Sequence, residues 1–163
     1  SDLAALWHTL NHALGKSVAF FSIGRLGQIY GTHDLAAMSG AMRRSRVWGV
    51  AFFASVLALI GVAPFAIFMS EFQVLRAAAQ ARAWVVLGLF LAGLGIVFAG
   101  ALRQVIGVAW GDPLSEPEPP RTSAADAIVL FGGLALLLAL GLWLPGPVRD
   151  AIEASAKIIE GTP

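Results

Sequence analysis

The chain alternates four long apolar stretches with short polar interruptions, and the stretches have the lengths of membrane-crossing helices. The first, Leu3 to Tyr30, exceeds the roughly 20 residues that cross a hydrocarbon core of about 30 Å. It closes at Gly31, where Thr32, His33 and Asp34 supply turn and cap chemistry. A short amphipathic piece, Leu35 to Met42, leads to Arg43-Arg44-Ser45-Arg46, which reads as a loop at the membrane surface. The second stretch, Val47 to Ala81, would reach roughly 52 Å as one straight helix, too long for a single crossing. A break is predicted at Gly61-Val62-Ala63-Pro64, because Pro64 removes a backbone donor and Gly61 tolerates unusual dihedrals. Half-helices Trp48 to Ile60 and Phe65 to Ala79 follow from it. Ala83 to Trp110 is the third stretch, with Gly88, Gly93, Gly95 and Gly100 permitting close helix contact. Gly111 to Ser123 reads as a polar, proline-stiffened surface loop. The fourth stretch, Ala124 to Leu144, closes at Pro145-Gly146-Pro147, and Val148 to Ile159 alternates charged and apolar residues as an interfacial helix does. The expected fold is all-α: one polytopic membrane domain over residues 1–163, with about four transmembrane helices, the second discontinuous, and a C-terminal amphipathic helix.

Composition supports a membrane chain and removes other classes. The sequence is 58% hydrophobic and 13% charged, with a mean hydropathy of +0.77; soluble domains are about 45 to 50% apolar and 25% charged. The net charge of +1 and the scattered arginines argue against nucleic acid. Without cysteine there is no disulfide framework, thiolate metal site or Cys nucleophile. The chain opens Ser-Asp-Leu, with neither Met nor a signal-peptide pattern, so it is expected to be a fragment. Further helices of the same subunit, or partner subunits, would then complete any pathway. Arg43, Arg44 and Arg46, with Arg25 nearby, favour a cytoplasmic first loop and a multi-pass chain in the cell (inner) membrane.

Against this background the polar residues of the first span are costly. A titratable group at bilayer depth costs roughly 2.5 to 3.5 kcal/mol on insertion scales, so its presence points to a water path, a partner or a function. Steps of four residues put His8, His12 and Lys16 on one slowly drifting helix face, with Asn11 beside them. They read either as interhelical hydrogen-bonding groups or as a line of proton carriers. Lys16, roughly 20 Å along the span, is too deep to snorkel easily and favours carriers; His8, nearer the end, is open to both readings. In low dielectric the charged form of an amine is disfavoured and a nearby carboxylate restores it, so moving the carboxylate would load or release a proton. The candidate carboxylate is Glu71, in Ser70-Glu71-Phe72. On a straight helix it would be a surface glutamate, but the break at Pro64 and the apolar residues after it place it inside a second half-helix. Ser70 is a candidate water bridge. His8 and His12 have the spacing of half a helical zinc site, yet Thr9 stands where a zincin carries Glu and no third ligand lies near. No metal, cofactor or catalytic motif is expected.

Two blocks carry a family resemblance. His8-Thr-Leu-Asn11-His12-Ala-Leu-Gly-Lys16-Ser-Val-Ala-Phe-Phe, and Gly61-Val-Ala-Pro64-Phe65-Ala-Ile-Phe68-Met-Ser70-Glu71-Phe72, resemble the antiporter-like subunits of complex I and its hydrogenase relatives, most of all the hydrogenase-4 component F (formate hydrogenlyase) type. That family implies about fourteen helices in two inverted five-helix repeats, each with a discontinuous helix and a charged residue on the mid-plane axis. This chain would then be the C-terminal part of a larger subunit. By that likeness Lys16 is the central proton-carrying lysine, His12 and His8 are relay residues, and Glu71 is the acidic residue of the broken helix, with Gly61 and Pro64 shaping the break. Ala63 departs from the two prolines usual there. The implied function is proton translocation in a redox complex whose hydrogenase or dehydrogenase module, with its metal chemistry, sits in other subunits. The implied partners are that module, the other membrane-arm subunits and lipid. Two rival readings stand beside it: a multisubunit sodium/proton antiporter component, and a non-conducting membrane scaffold.

Overall fold

No proline interrupts the backbone ladder before the first polar turn, and Asp2–Tyr30 accordingly forms one continuous helix, α1. The computed structural model describes residues 2–112, 122–143 and 145–160. Beyond α1, Thr32 Oγ1 accepts from Asp34 N (3.1 Å) and Asp34 Oδ1 from Ala36 N (3.0 Å), so short polar side chains satisfy the turn's backbone groups. A single 3-10 turn, Ala36–Met38, leads to α2, Ala41–Arg44. The arginine run is not a loop: Arg43 and Arg44 close α2, Ser45 is the joint, and Arg46 opens α3, Arg46–Leu59. Cations in the last turn of α2 suit the negative end of its dipole.

The chain then breaks. α3 ends at Leu59 and α4, Ala66–Gln80, begins after Phe65, with Gly61 at φ +75° and the Ala63–Pro64 peptide cis. Each half is about 21 to 22 Å long, so neither crosses a hydrocarbon core alone. α5 (Trp84–Trp110) and α6 (Ala124–Leu142) are each long and apolar enough to cross a membrane. Ser123 begins α6 with reciprocal bonds: its Oγ accepts from Asp126 N (3.1 Å) and its N donates to Asp126 Oδ2 (3.0 Å). Gly146 and Pro147 open α7, Gly146–Glu160. Most of the proline-stiffened loop, residues 113–121, lies outside the described residues, as does Leu144, the expected end of the fourth stretch.

Two apolar clusters hold the helices together. One joins Val18 and Leu26 of α1 to Trp48 and Ala51 of α3, Val108 of α5, and Leu130 and Leu134 of α6. The other gathers Trp7 of α1, Ala58 of α3, Ala66 of α4, Leu137 of α6 and Ile152 of α7 around the break. Lipid removes the hydrophobic drive between helices, so association relies on close van der Waals packing of small residues. Gly141 of α6 is the extreme case. A Cβ there would stand 2.6 Å from Ala66 N and 2.6 Å from Phe65 C and would overlap Pro64 O, so only glycine lets α6 lie on the interrupted backbone.

Candidate functional site

A helix of about 3.6 residues per turn drifts about 40° with every four-residue step. That drift carries the polar line of α1 from the packed side to the open side of the molecule. His8 is half-buried and faces α4, His12 is intermediate, and Lys16 is exposed. On α4, Ser70 is fully buried and donates to Ile67 O (2.8 Å). Ser70 Oγ also hydrogen-bonds His8 Nδ1 at 2.9 Å, in the direction that the histidine tautomer sets. With the hydroxyl proton on Ile67 O, His8 donates from Nδ1, and Nε2 is then the nitrogen free to take or give a proton. His12 stacks on His8 with ring centroids 5.7 Å apart and planes inclined by 22°. Lys16 Nζ lies 5.7 Å above the Phe20 ring, a cation–π contact.

α4 delivers two groups in succession, Ser70 to His8 and Glu71 to the break. The Glu71 carboxylate is half-buried and rests against Gly61, occupying the place a Cβ would take. Gly61 is thus required twice, for its positive φ and for the room its missing side chain leaves. Glu71 also borders two cavities. One, of about 330 Å³, is lined by Ala5, His8, Thr9, Val74 and Phe90; the other, of about 290 Å³, lies between the break and α5. Leu94 of α5 lines both. The first places the carboxylate and His8 on one half-open pocket, far larger than the roughly 30 Å³ share of a water molecule.

The site therefore brings together His8, His12, Ser70, Glu71, Gly61 and Pro64. It does not join Lys16 to Glu71: the ammonium sits over Phe20, the carboxylate sits on Gly61, and no ion pair links them among the described residues. Asn11 is fully buried, one turn after Trp7 and one before Gly15, and neither amide atom has a hydrogen-bond partner among the described residues. No three His, Asp or Glu side chains among the described residues converge as metal ligands would. Gly141 and Leu94 escape the sequence reading, and Phe20 enters it only as part of the first family block, with no role given to it. A glycine inside an apolar helix is the signal for Gly141, since it marks a close backbone approach; Leu94 carries no local signal.

Residues 2–97, more than half of the chain, match the family described as NADH:quinone oxidoreductase/Mrp antiporter, transmembrane. A hydrogenase-4 component F homolog of Methylacidiphilum infernorum is 33% identical over 162 residues, covering 98% of this chain and 33% of the relative. A Na(+)/H(+) antiporter component of Bacillus subtilis is 28% identical, covering 91% of this chain and 31% of its own length. NADH-quinone oxidoreductase subunit 14 of Thermus thermophilus is 32% identical, covering 91% and 34%. The chain thus spans about a third of the length of the curated relatives it matches.

Proposed function

The chain belongs to the NADH:quinone oxidoreductase/Mrp antiporter transmembrane family, and from that premise we propose that it is a proton-translocating segment of an antiporter-like subunit in a membrane-bound redox complex. The observation that carries the reading is the contact between His8 Nδ1 and Ser70 Oγ, which ties the titratable line of α1 to the half-helix bearing Glu71. In this reading a proton passes between Glu71 and His8 Nε2 through water in their shared cavity. The stacked His12 hands it on to Lys16 at the open face. Ser70 keeps His8 in the tautomer whose Nε2 is free, as a positioned partner does for a proton-transferring histidine. The hydrogenase or dehydrogenase module and the remaining membrane-arm subunits are the proposed partners. The exposed face around Lys16, Phe20 and Phe21 is the side on which further helices of the same subunit would close the path. The arginines at positions 25, 43, 44 and 46 would face the cytoplasm.

A component of a sodium/proton antiporter is the second reading, supported by the similarity to the Bacillus subtilis antiporter protein. Transport by the full-length subunit in its complex, reconstituted in liposomes, separates the possibilities. Proton movement that persists without sodium supports the first reading, and strict dependence on a sodium gradient supports the second. Lys16→Met distinguishes both from a scaffold: proton movement is expected to fall by about tenfold or more with the complex intact, and unchanged movement would remove Lys16 from the path.

A further inference from the structure

The pocket that Glu71 and His8 share has a third polar side chain, Thr9, and hydrocarbon from Val74 of α4 and from Phe90 and Leu94 of α5. Neither His12 nor Lys16 lines it. One residue on from His8, Thr9 is turned by about 100° around α1, away from the face packed on α4 and toward the exposed side. On the proton path inferred above, we propose that the Thr9 hydroxyl oxygen holds the water through which Glu71 and His8 exchange a proton. Thr9 is then a positioning residue of that transfer, acting through the water and carrying no proton itself.

Thr9 Oγ1 donates its one proton to Ala5 O at 2.9 Å, so toward the pocket the oxygen only accepts. That fixes how a bridging water lies. With Glu71 protonated, the water oxygen accepts from the carboxyl O–H, while one water hydrogen points to His8 Nε2 and the other to Thr9 Oγ1. The carboxyl O–H bond breaks as a new water O–H bond forms, and the hydrogen facing Nε2 leaves the water to form the N–H bond. One proton has moved, leaving a carboxylate, an intact water and an imidazolium. The bond to Thr9 is the same before and after, so the water pivots on it and is ready for the reverse step. An ordered water in a protein needs two to four polar partners. In this pocket the carboxyl and the imidazole supply two whose donor and acceptor roles exchange at each transfer, and Thr9 supplies a third whose role stays constant.

The test is proton translocation by the complete complex in proteoliposomes, with subunit content and unfolding temperature read on the same preparations. Thr9→Val keeps the branched shape and removes the oxygen, whereas Thr9→Ser keeps the oxygen and removes the methyl. Glu71→Gln, alone and combined with Thr9→Val, reports whether the two residues serve one step. The expected result is a roughly three- to tenfold slower translocation by Thr9→Val, with native unfolding temperature and subunit content. Thr9→Ser should keep about half or more of the native rate, and the double variant should be no slower than Glu71→Gln alone, as for groups that act as a unit. Native translocation by Thr9→Val beside a slow Glu71→Gln overturns the role of Thr9 and leaves the proton path standing; native translocation by both overturns the path as well. A loss that serine does not restore, that comes with a lowered unfolding temperature, or that multiplies with that of Glu71→Gln also overturns it, assigning Thr9 to packing or to a separate step. If Thr9→Val does not assemble, Thr9→Ala, the stronger helix former, takes its place.

Discussion

Ser70→Ala removes the hydroxyl that hydrogen-bonds His8 Nδ1 while leaving every ionisable group of the line in place. Its expected effect is a roughly three- to tenfold slower proton uptake by proteoliposomes containing the assembled complex, because His8 loses the partner that fixes its tautomer. Uptake at the native rate would show that the contact is only structural. Gly61→Ala acts differently, forcing a Cβ into the carboxylate and an L side chain into positive φ. It should lower stability by about 1 to 3 kcal/mol, read as an earlier thermal unfolding of the purified subunit, and unchanged unfolding would mean the carboxylate moves aside freely. The residue identities of this site are legible in the sequence, because titratable groups inside apolar stretches stand out. Their pairing is not. His8 meets Ser70, whereas Gly15 faces Ile67, so moving along α1 moves backwards along α4. That antiparallel course sets His8 beside Ser70 and Glu71 and leaves Lys16 over Phe20, and the relative direction and rotation of two helices is a tertiary property that spacing within one helix does not encode.

At the level of elements, the interruption between α3 and α4 is legible because two residues with opposite backbone preferences stand within four positions of each other and the stretch is too long to cross unbroken. What supports the interruption is not legible. α6 lies on it through Gly141, and the second apolar cluster closes around it with Ala58, Ala66 and Leu137. Gly141→Val should therefore cost about 2 to 3 kcal/mol by overpacking against backbone that has no side chain to shift, seen as a lowered unfolding temperature of the solubilised subunit. An unfolding temperature equal to the native one would show that α6 is free to withdraw. Ser123→Ala is the contrasting case, since it removes one hydrogen bond of the reciprocal cap of α6 far from the break; about 1 kcal/mol is expected, with no change in proton movement. The arginine run is not the loop the sequence suggests: Arg43 and Arg46 are exposed, yet Arg43 to Arg46 sit in helical turns around Ser45, because nothing in them prevents a short helix.

The whole molecule is a helical membrane segment whose packed side holds the broken helix and whose open side carries Lys16, with Phe20 66% exposed beside it. Membrane class and helix content follow from length and hydropathy alone, while the depth of each polar residue inside the packing depends on neighbours far along the chain. Relatives about three times as long share its sequence pattern, and they include a hydrogenase-4 component, a sodium/proton antiporter component and a quinone oxidoreductase subunit. What unites the account is a carboxylate on the broken helix facing a histidine on α1 across one cavity. The most direct measurement is proton translocation by the complete complex in proteoliposomes with Glu71→Gln, alongside its redox turnover and its subunit content. The account predicts an assembled complex whose proton translocation falls by about tenfold or more, and native proton translocation by that variant would contradict it.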